Sequence, residues 1–252
     1  MATVVEQAEQ KRNKNINAAP TIAPNSVRVD GKAAEAYIQN HEIQPLEEGA
    51  QEPTRWLTVS PYLEHEHLLD LNSVDTPNRL LALALTGLEA ATPQYATVGY
   101  EKALGWDSLM FTLKSLAAGE GYKWTRHEFY VVEFRSKLKK DIDAELLFRL
   151  DKESHIEATA SGGLLKYWYG VPDENRRNLA TCECARAVGF ETGSNYFTGL
   201  WRSREDAING GKGPWHKQAR AAIPGMYEQI DVKGLRLVIE DNVGSWTFGP
   251  HA

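Results

Sequence analysis

The sequence is short of several features that define common protein classes. It contains two cysteines, Cys182 and Cys184, in 252 residues, whereas a small secreted domain held by disulfides needs more. Cysteines at i and i+2 rarely form an unstrained disulfide, and two thiols do not complete a tetrahedral zinc site. We therefore expect reduced thiols and an intracellular protein.

Long apolar runs and an excess of basic charge are also missing. The longest apolar run, Leu80–Leu85, is far shorter than the roughly 20 residues of a membrane-spanning helix, and Met1–Gln7 does not read as the start of a signal peptide. The formal net charge is −6, which excludes a global basic footprint for nucleic acid. The basic run Arg135–Lys140 is interpreted as a solvated turn. These absences predict a soluble cytoplasmic protein, or one shared with the nucleus, with no nucleic-acid or membrane partner.

Motifs for nucleotide binding, metal binding and covalent catalysis are absent as well. Gly210–Pro214 is rich in glycine but lacks the spacing of a phosphate-binding loop, which also weakens an acyltransferase interpretation. No Ser-His-Asp nucleophile elbow is present. Glu64–His67 contains a His-x-His pair without further placed ligands, which favours a solvated turn; His127 and His155 are isolated and are interpreted as structural. We predict neither a metal nor a cofactor.

What the chain does contain divides it in two. Residues 1–54 are poor in large apolar side chains and rich in Glu, Gln, Asn, Ala and Pro. Such a segment cannot bury enough surface to offset its ordering entropy, so it is predicted to form a disordered or extended arm. Residues 55–252 carry the apolar and aromatic residues of a single α+β domain, with its core at residues 127–242.

A strand-helix extension is predicted ahead of the core. Trp56–Val59 reads as a strand, and Trp106–Leu116 repeats apolar residues at intervals of three and four, which indicates an amphipathic helix. Leu80–Leu85 follows a helix-start signal at Asp75-Thr76-Pro77. Because the run is short and uniformly apolar, however, we interpret it as a buried strand.

The core reads as strand, helix, two strands, helix, strand. Its predicted elements are a strand at Glu128–Phe134, a helix at Asp141–Ser161, strands at Leu164–Tyr169 and Asn178–Cys182, a helix from Trp215 to Ile223 and a strand at Leu235–Glu240. This βαββαβ order is that of a ferredoxin-like core.

One polar, glycine-containing segment, Glu183–Gly199, interrupts this pattern. Without it, Asn178–Cys182 would run directly into Leu200–Ser203 and form one hairpin partner for Leu164–Tyr169. We interpret residues 183–199 as an insertion, either a surface loop or an in-frame unspliced intron, and both alternatives stay open.

The junction Trp201–Ala207, followed by His216, resembles the strand-to-helix junction of the dimeric α/β-barrel superfamily. In its antibiotic-biosynthesis-monooxygenase-like members, Trp-x-Ser-x-Glu-x-Ala leads into a helix bearing a histidine. The resemblance covers the C-terminal half and implies a homodimer formed through the sheet and an internal cavity. The superfamily includes cofactor-free oxygenases, haem-handling enzymes, decarboxylases, lyases and ligand binders, so it does not fix a reaction. The whole chain resembles an uncharacterised family of fungal proteins on the segments Leu80–Thr86, Ser161–Gly170 and Trp201–Gly213.

The candidate catalytic residue is His216. It lies near the start of a predicted helix, where the helix dipole favours a neutral imidazole suited to a general base; the alternative is a structural histidine. Arg202 is placed to pair with a carboxylate of a ligand, or else with Glu205 or Asp206.

Aromatic residues complete the candidate ligand site. Tyr167 and Tyr169 stand at i and i+2 and therefore share one face of their strand, where they either stack on a planar ligand or pack in the core. Trp201 and Trp215 lie close in sequence to Arg202 and His216.

Two classes of function follow. The first is a small-molecule enzyme or binder with an aromatic cavity for an apolar planar ligand, resembling a cofactor-free oxygenase or a lyase. In it, His216 and the Tyr167/Tyr169 face converge on one pocket. The second is a non-catalytic interaction module that uses the sheet face for dimer or partner contact, with the same aromatic residues fully buried.

Overall fold

The computed structural model describes residues 55–181 and 199–251, which form an α+β domain with antiparallel sheets. The predicted N-terminal arm, both cysteines and nearly all of the predicted insertion lie outside these ranges. In the described ranges, every helix is too short or too polar to cross a bilayer.

Six α-helices and nine strands make up the described chain. The helices are α1 (Thr76–Ala84), α2 (Tyr100–Ala103), α3 (Trp106–Gly119), α4 (Ala144–Ser161), α5 (Arg204–Gly210) and α6 (Pro214–Met226). The strands are β1 (Trp56–Thr58), β2 (Leu68–Asp70), β3 (His127–Leu138), β4 (Leu164–Lys166), β5 (Trp168–Tyr169), β6 (Arg177–Thr181), β7 (Gly199–Trp201), β8 (Tyr227–Ile239) and β9 (Trp246–Pro250).

Strand β3 is the spine of the larger sheet. It pairs with β8 along one side and with β6 and β7 along the other, and every pairing is antiparallel. Beyond these, β9 pairs with β8, β4 with β7 and β5 with β6. The sheet therefore has five positions, in the order β4/β5, β6/β7, β3, β8 and β9. Strands β1 and β2 form a separate hairpin.

Strands β6 and β7 occupy one continuous line along β3. Ala180 of β6 pairs with Phe134, and Gly199 of β7 pairs with Val132. A single β3 residue therefore separates the two partners, and Thr181 fills the place opposite it.

The two faces of the sheet are covered by different layers. On β3, Phe129 and Val131 pack into a core shared with α1 and α3, whereas Tyr130 and Val132 face the layer of α4, α5 and α6. This alternation follows from the period of two along a strand. Fully burying each large apolar side chain contributes about 1.5–3 kcal/mol. The first core is the larger of the two and includes Leu80, Leu81, Leu85, Trp106, Leu113, Trp124, Leu165, Leu179, Leu200 and Leu237.

The prediction of a strand at Leu80–Leu85 is wrong, because this run forms most of helix α1. The Asp75 side chain accepts a hydrogen bond from the backbone N–H of Asn78, and Pro77 stands in the first turn, so the helix-start signal decides the local structure. Helix α1 packs against α3 and against β4. The polar residues of α1 all precede Leu80, so the run that follows them is uniformly apolar.

The interpretation of Arg135–Lys140 as a solvated turn is also wrong. Strand β3 continues to Leu138, and the Arg135 side chain turns inward. It donates to the carbonyl oxygens of Ala96 at 2.8 Å and Val98 at 2.5 Å, and its Nε lies 2.5 Å from Oε1 of the buried Glu133. The guanidinium therefore fastens the loop before α2 to the sheet.

The other predicted elements are confirmed with shifted ends. Helix α4 begins at Ala144 rather than at Asp141, because Asp143 accepts the N–H of Leu146 at 2.9 Å and caps it. Strand β8 starts at Tyr227, well before Leu235, because it pairs with β3 along its whole length. Its apolar alternation changes face at Gly234, which hides the first half in the sequence. The extension ahead of the core contains three helices and a hairpin, more than the predicted strand and helix.

Candidate functional site

Helix α4 changes character along its buried face. Near its start, Leu150 and the partly buried Leu146 pack against α6. One turn further, the buried positions are Asp151, Ser154, His155 and Ala158, whose spacing of three and four places them on one side of the helix. Polar side chains therefore enter the space between α4 and the sheet, where apolar ones would be expected.

Asp151 receives hydrogen bonds from two tyrosines. Tyr62 Oη donates to one carboxylate oxygen and Tyr167 Oη donates to the other, each at 2.5 Å. The two rings lie nearly parallel, at 19° and 6.3 Å between centroids, and all three residues are buried. Because hydrogen bonds to a carboxylate are charge-assisted, this arrangement compensates for removing Asp151 from water.

His67 and His155 form a second buried pair beside the first. Their Nδ1 atoms are 2.9 Å apart, and both side chains are fully buried. One ring must donate and the other must accept, so at least one of the two is neutral. Burial lowers the pKa of His67, and it lowers the pKa of His155 well below its ordinary value, with His67 and His216 lowering it further.

The two pairs form one polar cluster, made of Tyr62, His67, Asp151, His155 and Tyr167. The ring of His155 lies 5.0 Å from that of Tyr167, and the ring of His67 lies 4.7 Å from that of Tyr62. Among the described residues, Nε2 of His67, Nε2 of His155 and Oγ of the neighbouring Ser154 are buried without a hydrogen-bond partner. A buried polar atom left unsatisfied costs about 1–3 kcal/mol, so these three atoms add to the cost of burying the cluster.

A short segment, residues 60–67, covers the cluster from outside; we call it the strap. It supplies Tyr62 and His67, and its Glu64 forms an ion pair with Lys152 of α4. At the strap's start, the N–H of Tyr167 donates to the carbonyl of Val59 at 2.8 Å. The strap thus joins the sheet edge to α4 and closes the space between them.

His216 is fully buried at the start of α6 and is bound by Glu157 of α4. Nδ1 of His216 lies 2.7 Å from Oε2 of Glu157, and the backbone N–H groups of Trp215 and His216 donate to the same carboxylate at 2.8 and 3.0 Å. The carboxylate thereby occupies the positive end of the helix. Burial lowers the pKa of His216 to about 4, although Glu157 acts in the opposite direction. The imidazole is therefore neutral at neutral pH and presents Nδ1–H to Glu157.

The structure separates the sequence-predicted site residues into two groups. Tyr167 lies in the polar cluster and Tyr169 lies beside it, at 5.7 Å between ring centroids, on the face predicted for both. His216 lies close enough to His155 to lower its pKa. These three residues share the space under α4.

The remaining three predicted residues have other contacts. Arg202 forms two hydrogen bonds to Asp206, at 2.9 and 2.7 Å, which is the alternative considered for it from the sequence. Trp201 is fully buried against Gly210. Trp215 packs half-buried among the apolar residues between α4 and α6.

Of the five residues of the polar cluster, the sequence interpretation identifies Tyr167 alone as a site residue. The prediction of a solvated turn is wrong for His67, which is buried, and His155 is not isolated, because the two rings are paired. A structural role for His155 stays a prediction. Tyr62 and Asp151 had not been singled out. A usable signal was present in α4, since Asp151 and His155 are four residues apart where the apolar stripe stops. In the described ranges, no group of three or more His, Cys, Asp or Glu is arranged to hold a metal ion.

Comparison with known proteins places the chain in a family. The family model described as PB2B2.08-like matches it over two segments, residues 58–187 and 186–250. The chain belongs to this family. It is also 30% identical over 217 residues to the UPF0643 protein PB2B2.08 of Schizosaccharomyces pombe, an alignment that covers 82% of this chain and 89% of that protein. The expected fungal family is thereby confirmed, and no solved structure matches the chain.

Proposed function

We propose that the protein is a small-molecule enzyme or ligand binder whose site is the polar cluster beneath the strap. The observation that carries the proposal is the cluster itself: two histidines, two tyrosines and an aspartate buried together between the strap and α4. Burying so many titratable groups opposes folding, and such groups concentrate at functional sites.

The core that holds this site is, in our proposal, ferredoxin-like and related to the dimeric α/β barrels. The strand order β4/β5, β6/β7, β3, β8, with α4 and α6 packed together on one face, supports this assignment. In those barrels the other face of the sheet meets a second protomer. Here α1 and α3 share a core with that face, so a homodimer of this chain would use a different surface.

Proton abstraction is the chemistry we assign to the site. A neutral imidazole accepts a proton from an acidic C–H or O–H group of an apolar planar ligand, and the ligand becomes an anion. His155 stands beside Tyr167, and His216, oriented by Glu157, is the second candidate base. Tyr167 and Tyr169 would orient the ligand by stacking and by their hydroxyl groups.

Native mass spectrometry of the full-length protein, purified from its own host, tests this proposal. We expect a bound small molecule on the natural chain and at least tenfold lower occupancy in Tyr167→Phe. Phenylalanine keeps the ring but removes the hydroxyl that holds Asp151, and losing a hydrogen bond to a charged group costs about 1.5–3 kcal/mol.

Tyr122→Phe is the matched control, because Tyr122 is a partly buried tyrosine packed in the other core. It should keep the ligand. The proposal fails if the natural protein carries nothing and no planar aromatic compound in a library raises its melting temperature.

A non-catalytic interaction module is the second candidate. Full burial of Tyr167, Trp201 and His216 favours it, since a module needs these residues for packing alone. On this alternative, Tyr167→Phe changes stability but no ligand occupancy, which the same spectra and melting curves distinguish.

A further inference from the structure

Three side-chain contacts hold the strap on helix α4. Tyr62 donates to Asp151 at 2.5 Å, Glu64 pairs with Lys152, and Nδ1 of His67 lies 2.9 Å from Nδ1 of His155. At its far end the strap continues directly into β2, which is paired with β1. The strap is therefore anchored at both ends and fastened to α4 between them.

We propose that the histidine pair is an acid-sensitive latch, whose protonation releases the strap from α4 and opens the polar cluster. The contact exists only while one Nδ1 accepts a hydrogen bond from the N–H of the other. With both rings protonated, two N–H groups would oppose each other at 2.9 Å in a fully buried setting. Two positive charges at that distance in a buried site repel each other and move apart unless a carboxylate lies close enough to neutralise them.

No carboxylate in the described residues is within hydrogen-bond distance of either ring. Oε2 of Glu64 is 3.9 Å from Nε2 of His67. The charged groups that act on His67 are Glu64 and Glu66 of the strap and Lys152 and Glu153 of α4. His155 is acted on by His67 and by His216 of α6, and it contacts the rings of Tyr62 and Tyr167 and the hydroxyl of Thr159.

The direction of the pH effect follows from burial. Burial lowers the pKa of both histidines below the ordinary value of about 6.5. Both regain that value when the strap opens and exposes them to water. The closed strap is therefore fully stabilised above about pH 6.5 and loses that stabilisation as the pH falls. Lys152 lowers the pKa of Glu64, so the Glu64–Lys152 ion pair persists at pH 5 and the histidine contact fails first.

Hydrogen exchange of the full-length protein at pH 7.5 and pH 5.0, corrected for the intrinsic rate, measures the opening directly. We expect the opening equilibrium reported by the hydrogen-bonded amides of Tyr62 and His67 to rise by about 30-fold for each histidine that is neutral when closed and protonated when open. The amides of β3 should keep their protection. If the strap shows no rise, or if β3 opens equally, the latch does not exist.

The matched variant is the double substitution His67→Asn and His155→Asn. Asparagine places an amide near the position of Nδ1, so a donor and an acceptor remain but neither titrates in this range. We expect its strap to exchange alike at both pH values. His127→Gln is the control, because His127 has a pKa lowered by burial and lies at the start of β3; it should keep the natural response. A double variant that still opens in acid would overturn the proposal.

The latch rests on the proposed function in one respect, namely that a ligand enters beneath the strap. Exchange reports opening in the absence of any ligand. A negative exchange result would therefore leave the ligand proposal standing, and an empty native mass spectrum would leave the latch standing.

Discussion

Gly213 has no side chain, and the space this leaves is occupied by the carboxylate of Glu157. A Cβ placed there would lie 2.1 Å from the carboxyl carbon of Glu157, so only glycine lets that carboxylate reach the start of α6. Its φ of −69° is open to any residue. The reason for glycine is therefore space rather than backbone conformation.

We expect Gly213→Ala to lower the free energy of unfolding by about 1–3 kcal/mol, the usual effect of overpacking, as measured by urea denaturation. Gly225→Ala in the same helix is the control, since nothing lies within 4 Å of its added Cβ. It should be neutral, or stabilise by up to about 1 kcal/mol through helix propensity. Equal effects of the two substitutions would contradict the proposed role of Gly213.

At the residue scale, the sequence predicts the contacts and orientations that depend on residues close together in the chain. Tyr167 and Tyr169 were placed on one face by strand periodicity, and Arg202 was given Asp206 as an alternative partner four residues away. The contact between His67 and His155 joins the strap to a helix far along the chain. No local periodicity encodes such a pair, because it exists only after the strap folds over α4.

At the scale of elements, β6 and β7 lie end to end along β3 and together fill one strand position of the sheet. We propose that residues 182–198 are an insertion between β6 and β7, which share one strand position. The sequence alone predicts residues 183–199, so each end moves one residue earlier. The uninterrupted register on β3 supports this.

Deleting residues 182–198, so that Thr181 joins Gly199, should leave the fold intact, with a melting temperature within about 3 °C of the natural chain or above it, because a loop-closure cost is removed. Deleting Thr181 as well is the matched control. It shifts β7 by one position and turns its side chains to the wrong face, so we expect it to unfold the domain. Circular dichroism melting curves compare the two, and loss of folding in the first deletion would refute the insertion.

Helix α3 is recovered from the sequence because it has one buried and one exposed face, and β3 because it is rich in β-branched and aromatic residues. Helix α1 is misread because the run Leu80–Leu85 is uniformly apolar and the polar residues of the helix precede it. The first half of β8 is missed because the apolar alternation along the strand changes face at Gly234. The helix-start signal decides the first case, and pairing along the whole of β3 decides the second.

For the whole molecule, the decisive feature is the layer of α1 and α3 on the sheet. It covers a face that carries Phe129, Val131, Leu179, Leu200 and Leu237. Without this layer, the apolar patch would exceed what a monomer in water normally exposes.

A fragment of residues 127–252 should therefore self-associate or fail to fold, whereas the full-length chain should not associate through this face. Size-exclusion chromatography with light scattering gives the mass of each, and circular dichroism reports folding. A folded, monomeric fragment would show that the layer is dispensable and that the sheet face has another cover.

The pairing of β3 with β8 also governs when the protein can fold during synthesis. His127 pairs with Ile239, so β3 lacks its partner on one side until β8 has also left the ribosome. Contacts between such distant segments form slowly. The nascent chain must carry β3, with its aromatic residues still uncovered, until β8 emerges, and in that interval it is exposed to aggregation and to chaperone binding.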